Sequence, residues 1–196
     1  MPGFDANDYV QKFLARPGQN DAAALGVKVV PVPGAKWRAI GVHHLSGAEN
    51  VGKRNVYIEP VDAQGKRVSG CVAEYTWEGK RDDEPAPATA LDKPAGEVAG
   101  NIPIGAGQVV TVWLRGTSDI VSGLTSSPDI SDTDGNTRYH NSYLVVFRRY
   151  SGMPAPTPPP SGDCAMYIAR VKVLEAALTD TQSTMLQLIT RISKVK

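Results

Sequence analysis

Between Gly26 and about Arg149 the apolar positions come in short runs, alternating or continuous, broken by glycine, proline and aspartate. Runs of this length bounded by turn residues predict strands packed as a sandwich or barrel. The candidates are Val27–Val32, Trp37–Leu45, Asn55–Val61, Val68–Trp77, Val109–Arg115 and Ser142–Arg149, with a weaker one near Gly96–Ile104. Their residues are largely β-branched or aromatic, the types that pack on a pleated, half-buried surface. Asp62-Ala-Gln-Gly65 predicts a turn that closes a hairpin between Asn55 and Val68, with Gly65 free to take positive φ. Pro60 has no N–H to give to a ladder and is expected at an edge or a bulge. Glu78–Lys93 and Gly116–His140 lack periodicity and are expected as long loops.

The pattern changes on either side of this region. Within Asp8–Leu14, Tyr9, Phe13 and Leu14 recur at helical spacing, and Arg16-Pro17-Gly18 closes the run. Residues 1–25 therefore read as a short helix or arm packed on the domain of residues 26–150; the alternative is an arm for a neighbouring subunit. After Arg149 the run GMPAPTPPPSG favours extended polyproline geometry and marks residues 151–162 as a semi-rigid linker.

From Cys164 to Lys196 there is neither proline nor glycine, and Asp163 can cap the start, so one helix of roughly nine turns is allowed over 163–196. Cys164, Val171, Leu178, Met185 and Ile192 fall on heptad position a, and Tyr167, Leu174, Thr181, Leu188 and Val195 on position d. Only Thr181 among them is a small polar residue, the signature of a coiled-coil oligomerisation helix. Ile168, Val173, Leu186 and Ile189 widen the stripe, which favours a parallel trimer over a dimer. An amphipathic helix folded back on the sandwich is the competing reading of that wider stripe. In a parallel bundle Cys164 lies at the mouth, as a small core residue or an interchain thiol pair.

Charge removes several function classes. The 196 residues carry 21 basic and 20 acidic side chains, a net charge of +1, spread along the chain. Such a balance offers no electrostatic footprint for nucleic acid or an anionic membrane. No apolar run reaches membrane-spanning length, and the acidic, interrupted N-terminus lacks the apolar core of a secretory signal. Two cysteines, Cys71 and Cys164, form neither a zinc spacing nor a disulfide framework and suit a reducing compartment.

Candidate chemistry is sparse, and no cofactor is expected. His43, His44 and His140 suggest a metal set with Asp119, Asp129 or Asp132, but neighbouring strand residues point to opposite faces, so His43 and His44 cannot share ligands without distortion. A structural role is expected for them, with His44 or His140 bonded to a loop. Asp82-Asp83-Glu84 reads as a solvated loop with nothing apolar to raise a carboxyl pKa. Ser46-Gly47 and Ser151-Gly152 lack a nucleophile-elbow context, and Gly96–Gly107 lacks a phosphate-binding lysine. Trp77, Trp113 and Tyr139 suggest a stacking platform for sugars, although core positions are expected for Trp77 and Trp113.

Several motifs together carry a resemblance: Trp37–Asn50 (WRAIGVHHLSGAEN), Asn55–Ile58 (NVYI), Tyr75–Gly79 (YTWEG), Leu91–Pro94 (LDKP), Gly100–Ile104 (GNIPI), Ser118–Leu124 (SDIVSGL) and His140–Tyr143 (HNSY). Over about residues 24–150 the chain resembles an immunoglobulin-like β-sandwich module found in bacteriophage virion proteins and appended to some bacterial sugar-active or cell-wall enzymes. The resemblance implies a mainly β, antiparallel sandwich with an accessory or structural role and no catalytic residues to transfer. With the coiled coil, it implies a virion component, made in the host cytoplasm, that decorates a capsid or builds a neck, tail or fibre against other virion proteins. The alternative is a carbohydrate-binding module that recognises a surface glycan through the Gly116–His140 loop.

Overall fold

A computed structural model describes residues 3–127 and 135–150. The linker expected over 151–162, the helix expected over 163–196 with its ten heptad positions, and Asp129 and Asp132 lie outside them. The elements run α1 (Ala6–Ala15), β1 (Gln19–Asn20), a 3-10 turn (Ala23–Leu25), β2 (Lys28–Val30), β3 (Trp37–His44), α2 (Gly47–Asn50), β4 (Asn55–Val61), β5 (Cys71–Trp77), β6 (Ala88–Leu91), β7 (Gly100–Pro103), β8 (Val109–Leu114), β9 (Ile120–Thr125) and β10 (Tyr143–Arg149). The strands form two five-stranded sheets, β1-β3-β10-β4-β7 and β2-β9-β8-β5-β6. The protein is thus mainly β, a sandwich whose inner faces share a core that includes Trp37, Ile58, Leu91, Ile102, Leu124 and Phe147.

Two expectations need correction. The sandwich is not wholly antiparallel: β10 runs parallel to β4, and β1 parallel to β3, so the first sheet is mixed. The hairpin expected over Asn55–Val68 is confined to its turn: Gly65 takes φ +83 with its N–H on the Asp62 carbonyl at 3.2 Å, Val61 pairs antiparallel with Arg67, and the Val68 N–H meets the Pro60 carbonyl at 2.9 Å, but beyond this short closure the chain crosses over, and β4 and β5 belong to different sheets. The reason lies in burial. Val56 and Ile58 face the inner core while Tyr57 and Val61 face a second apolar cluster, so β4 is buried on both faces and occupies the interior of a sheet. Pro60 falls where the pairing of β4 with β7 has ended, on the edge expected for it.

The second cluster lies on the outer face of the first sheet and is closed by α1. Asp5 caps this helix by accepting the Asn7 N–H at 2.8 Å, and its apolar stripe of Ala6, Val10 and Phe13 meets Ile40, Tyr57, Leu144 and Val146. Residues 3–25 pack on their own sandwich. The β10–β3 register slips between Val146 and Phe147, which pair with Gly41 and Ala39 and leave Ile40 without a partner. This bulge turns Ile40 and Gly41 together toward the helix. A methyl group at Gly41 would overlap the Phe13 ring, so the glycine is what permits the close approach.

Candidate functional site

Four elements bring Tyr9, Asp21, His43 and Glu49 together beside α1. The His43 ring stacks on Tyr9 with centroids 4.0 Å apart and 21° between planes. Its Nδ1 lies 2.6 Å from Asp21 Oδ2 and its Nε2 3.2 Å from Glu49 Oε2. The Tyr9 hydroxyl donates to Glu49 Oε1, and the Ser46 N–H and hydroxyl donate to Glu49 Oε2 at 2.8 and 2.7 Å. The Ser46 N–H bond is one half of a capping box at the start of α2, whose other half is the Glu49 N–H donated to the Ser46 hydroxyl oxygen. Asp21 Oδ1 accepts the His44 N–H at 2.7 Å, and the Lys12 ammonium lies 5.5 Å from the Tyr9 ring centroid.

Electrostatics follow the bonding. Burial works to raise the Glu49 carboxyl, but hydrogen bonds from Tyr9, Ser46 and His43 outweigh it and hold the group at about 2. Asp21 is likewise lowered, the bonds from His43 and the His44 N–H overcoming burial. Tyr9 is pushed up by burial, by its bond to Glu49 and by the charges of Glu49, Asp21 and Asp8. An imidazole between carboxylates resembles a general-base couple, yet here both ring nitrogens are engaged and one ring face is covered by Tyr9. The arrangement clamps α1, the chain after β1, and α2 onto β3.

The clamp sets an acid response. Because the folded Glu49 carboxyl lies at about 2 against an ordinary 4.5, its contribution to stability is present above pH 4.5 and is lost as pH falls through 2. The urea midpoint should drop across that window, and Glu49→Gln should lower stability at pH 7 while flattening the drop. A variant whose acid profile matched the parent would exclude the clamp.

The remaining histidines hold loops. His44 Nε2 meets Asn141 Oδ1 at 2.8 Å, with its ring tilted against Tyr143 at 5.5 Å between centroids. His140 Nδ1 lies 2.8 Å from Thr137 Oγ1 and 3.1 Å from the Arg138 carbonyl. His43 and His44 thus face opposite sides of β3, the alternation expected. Asp119 lies against neither: it is buried and accepts from the Val32 N–H at 2.9 Å, Arg38 Nη1 at 3.0 Å and the Ala39 N–H at 3.1 Å. Among the described residues no group of three or more His, Cys, Asp or Glu is arranged to hold a metal ion. Asp83 and Glu84 pair with Arg81 at 3.4 and 3.0 Å in an exposed loop.

The three aromatics named from sequence do not form one platform. Trp77 is partly buried against the inner core beside Tyr75, at 6.2 Å between centroids. Trp113, expected in the core, belongs to neither apolar cluster. Along β8 the buried residues are Val110, Val112 and Leu114, so Trp113 stands on the outer face with its indole N–H on Glu74 Oε2 at 3.0 Å. Tyr139 is in the left-handed region at φ +67, and the Arg138 guanidinium lies 4.8 Å from its ring centroid. No protein-family model, curated protein or solved structure matches this chain.

Proposed function

We propose that this chain is a non-enzymatic structural protein of a bacteriophage virion, a capsid decoration, neck or tail/fibre component, assembled as a homo-oligomer by residues 163–196. The observation that carries the reading is the order of parts: the sandwich closes with β10 at Arg149, a proline-rich spacer follows, and an almost unbroken apolar heptad series runs from Cys164 to Val195. Three copies joined this way raise the effective concentration of each sandwich at a repeating surface, so a weak single contact becomes a firm one. The resemblance of residues 24–150 to virion modules supports the same role, as does the way half-buried Arg38 and Arg67 pair with buried Asp119 and Glu59 to tie loops to the sheets, which suits a rigid building block.

Light scattering after size exclusion, on the full chain and on residues 1–150, tests the reading. A trimeric full chain beside a monomeric truncation is the expected result. A full chain that stays monomeric at about 100 μM, well above the dissociation constant of a stable assembly, overturns the self-assembling stalk.

A further inference from the structure

Charge is left unbalanced where β10 ends. Arg148 lies directly opposite Arg38 in the β10–β3 ladder, and their neighbours Trp37 and Phe147 fill the inner core, so both arginines stand on the outer face of the first sheet. Like charges placed opposite each other destabilise a ladder. Asp119 answers one of the two: it is buried, takes Arg38 Nη1 at 3.0 Å, and is otherwise filled by the Val32 and Ala39 N–H groups. Arg148 meets no carboxylate among the described residues; its Nη2 donates to the Tyr150 hydroxyl, and its guanidinium lies 4.6 Å from that ring's centroid. Stacking holds the group in place without neutralising it. Lys36 and Arg149 add cations at the same end. The Tyr150 N–H donates to the Lys36 carbonyl at 2.8 Å, Arg149 is opposite Trp37, and neither side chain meets a carboxylate among the described residues. Two large apolar residues are exposed there as well, Tyr150 at 36% and Val30 at 46%, the latter two residues before Val32, whose carbonyl accepts from Arg38 Nη1 at 2.9 Å.

We propose that this end of the sandwich docks an acidic segment of a partner protein, whose carboxylates bridge Arg38 and Arg148. The donors for them are already in place. Within the described residues Arg38 uses Nη1 alone and Arg148 uses Nη2 alone, so each keeps the rest of its fork for a carboxylate oxygen pair. Lys36 and Arg149 extend the positive field past that pair, and Val30 and Tyr150 supply apolar contact beside it. Arginine and tyrosine gathered this way are the composition of an interface centre, and lysine alone is not. The cluster is compact and the net charge of the chain is +1, so the field suits a short run of carboxylates and not the long phosphate track of a nucleic acid. The surface belongs to the sandwich itself, and it stands whether or not residues 163–196 assemble the chain.

Fluorescence anisotropy of labelled octaglutamate with the intact protein tests this, at about 50 mM salt and up to about 500 μM protein, enough to detect a Kd of about 1 mM. Binding that weakens about tenfold when salt rises to about 300 mM is the expected result. Arg148→Ala should weaken it about tenfold and Arg148→Glu abolish it. Urea unfolding should show both variants at least as stable as the parent, because the like-charge pair is gone. Arg81→Glu, the same reversal in the exposed loop between β5 and β6, should leave the affinity unchanged. Silence of octaglutamate, binding that survives Arg148→Glu, or an equal loss with Arg81→Glu overturns the proposal. So does an oligothymidylate of the same length that binds more tightly than octaglutamate, since the face would then read phosphate.

Discussion

Replacing Gly41 by alanine will drive the Phe13 ring off the first sheet and release α1. The added methyl group would overlap the Phe13 ring, which is itself fully buried against the strand. Neither side can yield cheaply. The bulge at Ile40 fixes the backbone of β3, and Phe13 is held by Tyr9 and Val10 on the same helix. Expelling a buried phenylalanine forfeits what Phe13→Ala does, about 3–5 kcal/mol, a large part of a typical stability of about 5–15 kcal/mol. Each single variant should lower the unfolding free energy measured in urea by this amount and strip hydrogen-exchange protection from Ala6–Ala15. The double variant should be scarcely worse than either, because both changes remove one contact. Additive losses in the double variant would show that Gly41 acts through something other than Phe13.

How much of this was legible in the chain depends on the range of the interaction. The strands β3, β4, β5, β8 and β10 stood out because their β-branched and aromatic runs are long, and α1 because Tyr9, Phe13 and Leu14 recur at helical spacing. β9 was hidden inside an expected loop. Ser122 and Gly123 interrupt its apolar run, and Gly123 takes φ +79 where the backbone of Gly26 approaches too closely for any side chain. β6, the four residues Ala88–Leu91, was hidden in the other expected loop because it pairs with β5 alone as a short edge strand. The parallel union of β10 with β4 could not be read at all, since it joins segments more than eighty residues apart whose patterns allow either direction. The clamp follows the same division. Ser46-x-x-Glu49 is a recognisable capping box, but Tyr9 and Asp21 reach His43 only once α1 is docked. Trp113 was misassigned because an apolar run does not say which alternate residues turn inward; the burial of Val112 and Leu114 decides it.

The largest electrostatic effect is expected at Arg67. Glu59 keeps only 4% of its surface exposed, and Arg67 meets it with two bonds, Nε to Oε1 at 2.6 Å and Nη2 to Oε2 at 2.8 Å. The same guanidinium donates to the carbonyls of Lys93 at 3.0 Å, Pro94 at 3.2 Å and Glu97, so one side chain fastens the segment between β6 and β7. The Ala99 N–H completes the set on Glu59 Oε2 at 2.8 Å. A pair built this way adds modest net stability, because two desolvated charges nearly offset their attraction, but removing one partner strands the other. Arg67→Ala should therefore cost about 3–5 kcal/mol in urea unfolding, the penalty of an uncompensated buried carboxylate. Glu59→Gln combined with Arg67→Met should recover roughly half of that loss, since no bare charge then remains and the glutamine can still accept from Ala99. The two outcomes separate the sources of the effect. If the double variant is as unstable as Arg67→Ala, the bonds to the Lys93, Pro94 and Glu97 carbonyls carry the stability. If it recovers, the stranded charge was the cost, and the segment between β6 and β7 is held by its own strand pairing.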